Sequence, residues 1–194
     1  MTLRATTWQT VGPFFSIGLG RRYRSELAGE GMEDEAVPGE HVCVHGRVLD
    51  GDLLPVPDAI LEIWQADAAG RYANPEVESQ RLAGRCFTGY GRVATDDDGR
   101  FNFSTIKPGA VAGPEGALQA PHAVVGVMMR GLLRRLVTRM YFTDERLNST
   151  DVILQLIALE RRRTLLLTPE PNRPGHYTWD IHLQGPDETV FFDF

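Results

Sequence analysis

From residue 41 onward, hydrophobic and polar positions alternate in short runs. In HVCVHGRVL, Val42, Val44 and Val48 share one side with Gly46; in ILEIWQ, Leu61 and Ile63 oppose Ile60, Glu62 and Trp64. A period of two marks a strand with two unlike faces. Asp50-Gly51 supplies a reversal signal between these runs. GRVATDDDGRFNFSTIKPG repeats the arrangement, with Asp98-Gly99 as the turn and Phe101 and Phe103 on one face. HAVVGVMMRG, RRLVTRMYF, RRTLLLTP and HYTWDIHLQG predict further short strands.

One stretch breaks the pattern. STDVILQLIAL, residues 149–159, predicts a helix capped within Ser149 to Asp151, with Val152, Ile153, Leu156 and Ile157 on one side. Residues 1–20 follow neither period and are expected to form an extended arm. Its aromatics Trp8, Phe14 and Phe15 point to docking on another surface. Residues 21–40 are polar and acidic and read as a surface connection. The expected architecture is all-β: an antiparallel β-sandwich with an extended N-terminal arm and one or two short helices. It forms a single domain over 1–194, with the arm and connection in 1–40 and the sandwich core in 41–194. No internal repeat or second domain is expected.

Composition narrows the function. The 194 residues are 42% hydrophobic and 24% charged, as in an ordinary globular domain. A net charge of −6 argues against a nucleic-acid partner. The apolar run 11–20 is broken by Pro13 and several glycines, so neither a secretory signal nor a membrane span is expected, and the expected location is cytoplasmic. Cys43 and Cys86 make no disulfide framework, and Cys43, inside an alternating run, is expected to be a buried thiol.

Isolated motifs say little about chemistry. The chain has no Gly-rich phosphate loop after a strand, no Gly-x-Ser-x-Gly elbow and no Cys-x-x-Cys. His122, after an Ala-Pro step in LQAPHAVVGVMMRG, is open to three readings: metal ligand, base, or structural strand residue. A lone histidine at a strand edge favours the last. Arg130, Arg134, Arg135 and Arg139 form a basic patch, in which one planar guanidinium is a candidate carboxylate binder. Arg161 to Arg163 read as solvated side chains where helix passes to strand.

Several stretches together resemble the intradiol ring-cleaving dioxygenases: GEHVCVHGRVLDGDLLPVPDAILEIWQADAAGRY (39–72), GRVATDDDGRFNFSTIKPG (91–109), APHAVVGVMMRG (120–131), RMYFTDE (139–145) and GPDETVFFDF (185–194). The resemblance implies a β-sandwich and ring cleavage of a small catechol, in aromatic catabolism, by non-haem ferric iron held by two tyrosines and two histidines. Here one tyrosine position is Val111, and the His-x-His unit reads His122-Ala123-Val124. The other tyrosine position falls in 73–90, near Ser79, with Tyr90 as a shifted substitute. The assisting arginine is replaced by Gln119. Val111, His122 and Val124 are thus vestigial ligand positions. No metal ligand set and no catalytic residue are assigned to this chain.

The resemblance further implies a non-catalytic chain paired with a homologous beta subunit that carries the Fe(III), the heterodimers assembling further. Thr10, Gly12 and Pro13 of the arm match a wall of the substrate pocket, Gly12 allowing close backbone approach and Pro13 holding the path rigid. Arg130 matches an arginine facing the carboxylate of 3,4-dihydroxybenzoate. Two other readings stay open: a stand-alone non-catalytic binding module, and a self-sufficient dioxygenase using Tyr90 with His122.

Overall fold

The computed structural model describes residues 7–20, 25–27, 37–73, 87–113 and 116–193. Alternation becomes strand wherever it was expected. The strands are β1 (His41–Leu49), β2 (Ile60–Gln65), β3 (Tyr90–Ala94), β4 (Arg100–Ile106), β5 (Val111–Ala112), β6 (Leu118–Gln119), β7 (His122–Met128), β8 (Leu136–Phe142), β9 (Leu166–Pro169), β10 (His176–Thr178) and β11 (Ile181–His182). The class is all-β, with short helical segments.

A single hydrogen-bonded path runs β11-β1-β10-β9-β8-β7-β2-β3, with β4 on the other side of β1, and β5 and β6 form a separate two-stranded ribbon. One wing is β3, β2, β7 and β8; the other is β4, β1, β10 and β11; β9 links them. Both wings contribute to one core. Val42, Val44 and Val48 of β1 and Phe101 and Phe103 of β4 cluster with Leu61 and Ile63, Ala123, Val125 and Val127, and Met140 and Phe142. Each large side chain buried there contributes about 1.5–3 kcal/mol.

Several expectations need correction. The strands are not all antiparallel: β1 pairs in parallel with β10 and β11, and β8 with β9. The helical crossover from 146 to 165 lets β9 return alongside β8 in the same direction. Asp50-Gly51 makes the expected reversal: Leu49 and Pro55 form an antiparallel bridge, and the Val56 amide bonds Val48 O at 2.9 Å. Asp50 Oδ1 accepts the amides of Asp52 and Leu54, and the reversal carries the chain from β1 in one wing to β2 in the other. Asp98-Gly99 does the same between β3 and β4, with Gly99 at φ +70° and Asp96 accepting from Asp98 and Arg100.

The helix expected over 149–159 is two single turns, α2 (Val152–Gln155) and α3 (Leu159–Arg162), flanked by 3-10 turns at Arg146–Ser149 and Arg163–Leu165. Asp151 is the cap, but Leu154 and Ile157 pack inward while Leu156 stays 82% exposed. The arm is not wholly extended either. Pro13 sits in a turn that opens α1 (Phe15–Gly20), where its preset φ suits the first helical turn. The terminal Val190, Phe191 and Phe192 are half-buried: Val190 and Phe192 join a second cluster around Tyr141, Leu154 and Leu165, and the Phe192 amide bonds Val137 O at 2.7 Å. Cys43 is half-buried on the outer face of β1, because Val42 and Val44 take the core side. Arg161 is half-buried and donates to Glu188 O, while Arg163 is exposed as expected and pairs with Asp187. Cys86, Ser79 and most of 21–36 lie outside the described residues.

Candidate functional site

Strand alternation decides what the outer face of the β3-β2-β7-β8 wing carries. Ala123, Val125 and Val127 point into the core, so His122, Val124 and Gly126 face outward. By register, Val124 stands between Trp64 of β2 and Arg139 of β8, and His122 is opposite Tyr141. Such cross-strand neighbours have backbones about 5 Å apart.

Two loops complete the surroundings. Asp67 Oδ1 accepts the amides of Ala69 and Arg71 and turns the chain at Gly70, whose φ of +74° only glycine adopts freely. A Cβ on Gly70 would overlap the Ala110 carbonyl, and one on Gly109 would overlap that of Ala68. The Ala-Asp-Ala-Ala-Gly and Lys-Pro-Gly loops therefore touch backbone to backbone. Lys107 fastens the second loop to Asp144 at 3.0 Å and Glu145 at 2.7 Å. Burial alone would lower its pKa, but the two carboxylates outweigh this and push it up to about 12. Beyond the loop, Val111 pairs with Gln119 across the β5–β6 ribbon.

Val111, Gln119, His122 and Val124 thus lie around one outer patch, and Arg139 bridges it. Its Nη1 donates to Gln119 Oε1 at 2.8 Å and to the Tyr141 hydroxyl at 3.3 Å, while Nε is buried with no hydrogen-bond partner among the described residues. His122 is 1% exposed, and its Nδ1 bonds Ala120 O at 2.7 Å. Burial holds the imidazole pKa below its ordinary value and Arg139 pushes it the same way, so the ring is neutral at pH 7. Burial likewise raises Tyr141 to about 12, leaving its hydroxyl protonated.

Among the described residues, this donor set does not fit ferric iron. One neutral imidazole remains, two positions carry only hydrocarbon, and a guanidinium supplies positive charge where phenolates would be needed. The bond from His122 Nδ1 to Ala120 O is of the kind that orients a metal-bound imidazole. Tyr90 is no substitute. Its hydroxyl donates to Glu62 Oε1 at 2.8 Å and accepts from Arg92, and β2 separates its strand from β7.

The rest of the face is a charge cluster that sequence reasoning missed. Glu62 bonds Arg92, Tyr90 and Arg135, the last at 3.1 Å. Burial raises the Glu62 pKa, but hydrogen bonds from Arg92 and Tyr90 with the two guanidinium charges bring it below its ordinary value. The same alternation that put Leu61 and Ile63 inside was the available signal for Glu62 outside. Trp8 of the arm stacks over Arg135 at 5.9 Å.

The pocket-wall residues stand elsewhere. Arg130 follows the far end of β7, the seven-residue strand holding it about 20 Å from His122. It pairs with Asp58 at 3.1 Å, both side chains being more than half exposed. Thr10, Gly12 and Pro13 are exposed, with nothing among the described residues within 4 Å of where a Gly12 Cβ would stand. Among the described residues, no hydrogen bond or ion pair joins them to Arg130.

A dioxygenase family model matches residues 11–185. The chain belongs to the intradiol dioxygenase family. This dioxygenase chain is 45% identical to the protocatechuate 3,4-dioxygenase alpha chain of Burkholderia cepacia, over 99% of its own length and 98% of the relative's. It is 37% identical to the beta chain from the same organism, over 78% of its length and 67% of the relative's. Among solved structures, the dioxygenase domain of a carbohydrate-binding fusion from Streptomyces sp. SirexAA-E superposes with a TM-score of 0.61 at 26% identity, covering 87% of this chain and 89% of that one. Within the described residues, no helix of this dioxygenase chain is long and apolar enough to cross a membrane.

Proposed function

We propose that the chain is the non-catalytic alpha subunit of a protocatechuate 3,4-dioxygenase. The observation that carries this is near end-to-end similarity to an alpha chain, while a beta chain is a more distant homologue. The donor set around His122 supports it, since the family's iron would have to be held by the homologous beta subunit. The assembly takes 3,4-dihydroxybenzoate and O2 to 3-carboxy-cis,cis-muconate, inserting both oxygen atoms between the hydroxyl-bearing carbons. It works in the cytoplasm, on a β-sandwich scaffold shared by both subunits.

The part of this chain in the reaction is binding and shape. Thr10, Gly12 and Pro13 form one wall of the partner's pocket. Their exposure, and the open space around Gly12, leave the backbone free to approach a ligand. Arg130 orients the substrate carboxylate. Its exposed pair with Asp58 contributes at most about 1 kcal/mol, so exchange of Asp58 for a substrate carboxylate is inexpensive. Exposed Trp8 and Phe14 are covered by the partner.

Co-expression with an iron-bearing beta homologue tests the assignment. A stable complex that cleaves 3,4-dihydroxybenzoate, with iron confined to the beta subunit, is the expected result. Ring cleavage by this chain alone, or the absence of any complex, overturns it.

A further inference from the structure

The patch above Val124 holds groups that the proposed reaction leaves unused. Three of the four arginines between 130 and 139 meet carboxylates: Arg130 with Asp58, Arg134 with Asp193, and Arg135 with Glu62. Arg139 meets none. Its contacts, Gln119 Oε1 and the Tyr141 hydroxyl, are both neutral. Among the described residues, Asp151 joins the same network only through the Tyr141 hydroxyl, 3.4 Å from its Oδ1, and otherwise receives backbone amides. Its Oδ2 accepts the Ala120 amide at 2.7 Å, and its Oδ1 accepts Ile153 and Leu154, both at 2.9 Å. A half-buried guanidinium with no carboxylate in direct contact is costly, and an anion beside it relieves that cost.

The other side of the patch is aromatic. Trp64 faces Arg139 across Val124, with its ring 4.5 Å from that of Tyr72. Trp64 is 48% exposed although it sits in a central strand. Between this pair and Arg139 lies only the short side chain of Val124, so the surface has a cationic wall, an apolar floor and an aromatic wall.

We propose that this patch is a ligand site for a small aromatic carboxylate, its carboxylate paired with Arg139 and its ring lying over Val124 against Trp64 and Tyr72. The planar guanidinium, held in orientation by Gln119 and Tyr141, presents its remaining edge for a charge-assisted contact. The ring gains burial against two aromatics. Every group belongs to this chain, so the site does not depend on the assignment to a heteromer. The substrate of the assembly and an unrelated benzoate share the required chemistry.

Isothermal titration decides the matter, using the full chain in whatever assembly it purifies, with benzoate, 3,4-dihydroxybenzoate under anaerobic conditions, catechol and acetate as probes. Benzoate is expected to occupy one site per chain that Arg139→Gln and Val124→Phe each abolish, while ring cleavage by the complex is unchanged. Catechol, lacking the carboxylate, and acetate, lacking the ring, bind that site at least about tenfold more weakly. Tighter binding of 3,4-dihydroxybenzoate than of benzoate at this site identifies the substrate as the resident ligand, equal binding identifies benzoates in general, and no benzoate binding overturns the proposal. Val124→Phe leaves Arg139 in place, so it tests the site even if Arg139→Gln does not fold. Benzoate stoichiometry unaltered by Val124→Phe, or catechol binding there as tightly as benzoate, overturns the proposal.

Discussion

The Asp151 carboxylate holds the amide of Ala120 at 2.7 Å, joining residues 31 apart in the chain. The same group caps α2 through Ile153 and Leu154, is fully buried, and so ties the crossover to the start of β7. Asp151→Ala strands three amides, two from the helical turn and one from the strand approach. It is expected to cost about 3 kcal/mol in urea denaturation. Asp151→Asn keeps the cap and loses the bond to Ala120, and is expected to cost roughly half as much.

Two glycines should respond in opposite ways. A Cβ on Gly46 would overlap the Trp179 carbonyl oxygen, in the packed contact between β1 and the segment joining β10 to β11. Gly46→Ala is expected to abolish soluble expression or to lower stability by more than about 3 kcal/mol. A Cβ on Gly12 meets nothing among the described residues within 4 Å. Gly12→Ala is expected to fold with an unchanged melting temperature, and to raise KM for 3,4-dihydroxybenzoate once the partner is present. A stability loss without a KM change would remove Gly12 from the pocket wall.

Arg130→Ala is expected to change stability by less than about 1 kcal/mol, since it breaks only an exposed pair with Asp58. In the complex it should raise KM for carboxylated catechols about tenfold or more and leave catechol itself nearly unaffected. Steady-state kinetics with both substrates measure the difference. Equal losses would assign Arg130 to structure alone.

His122 introduces a pH dependence with a defined sign. Its folded pKa lies below the ordinary 6.5 because burial disfavours the imidazolium, with Arg139 acting in the same direction. The unfolded chain therefore binds the proton more readily, and stability falls as the pH drops below the unfolded value. The slope from this group is at most about 1.4 kcal/mol per pH unit. Unfolding free energies at about pH 7.5 and 5.5 are expected to differ more in the wild type than in His122→Gln, in which the group no longer titrates. An identical difference in both would place the histidine in a solvated, unshifted setting.

Much of the chain was legible from local signals. Alternation in 42–48, 60–65 and 101–103 assigned both strands and core faces, because a strand has only two sides and the apolar one must leave water. That the Val111 and Val124 side chains offer no donor atoms holds in any fold. Only tertiary structure decided the rest. The parallel pairings of β1 and β8 depend on where distant strands return, which no local period encodes. Leu154 rather than Leu156 turns inward because Asp151 is pinned to Ala120. Four arginines within ten residues look alike in sequence. Three were separated from Arg139 by where Asp58, Glu62 and Asp193 arrived in space, since a charge takes its role from the groups that surround it.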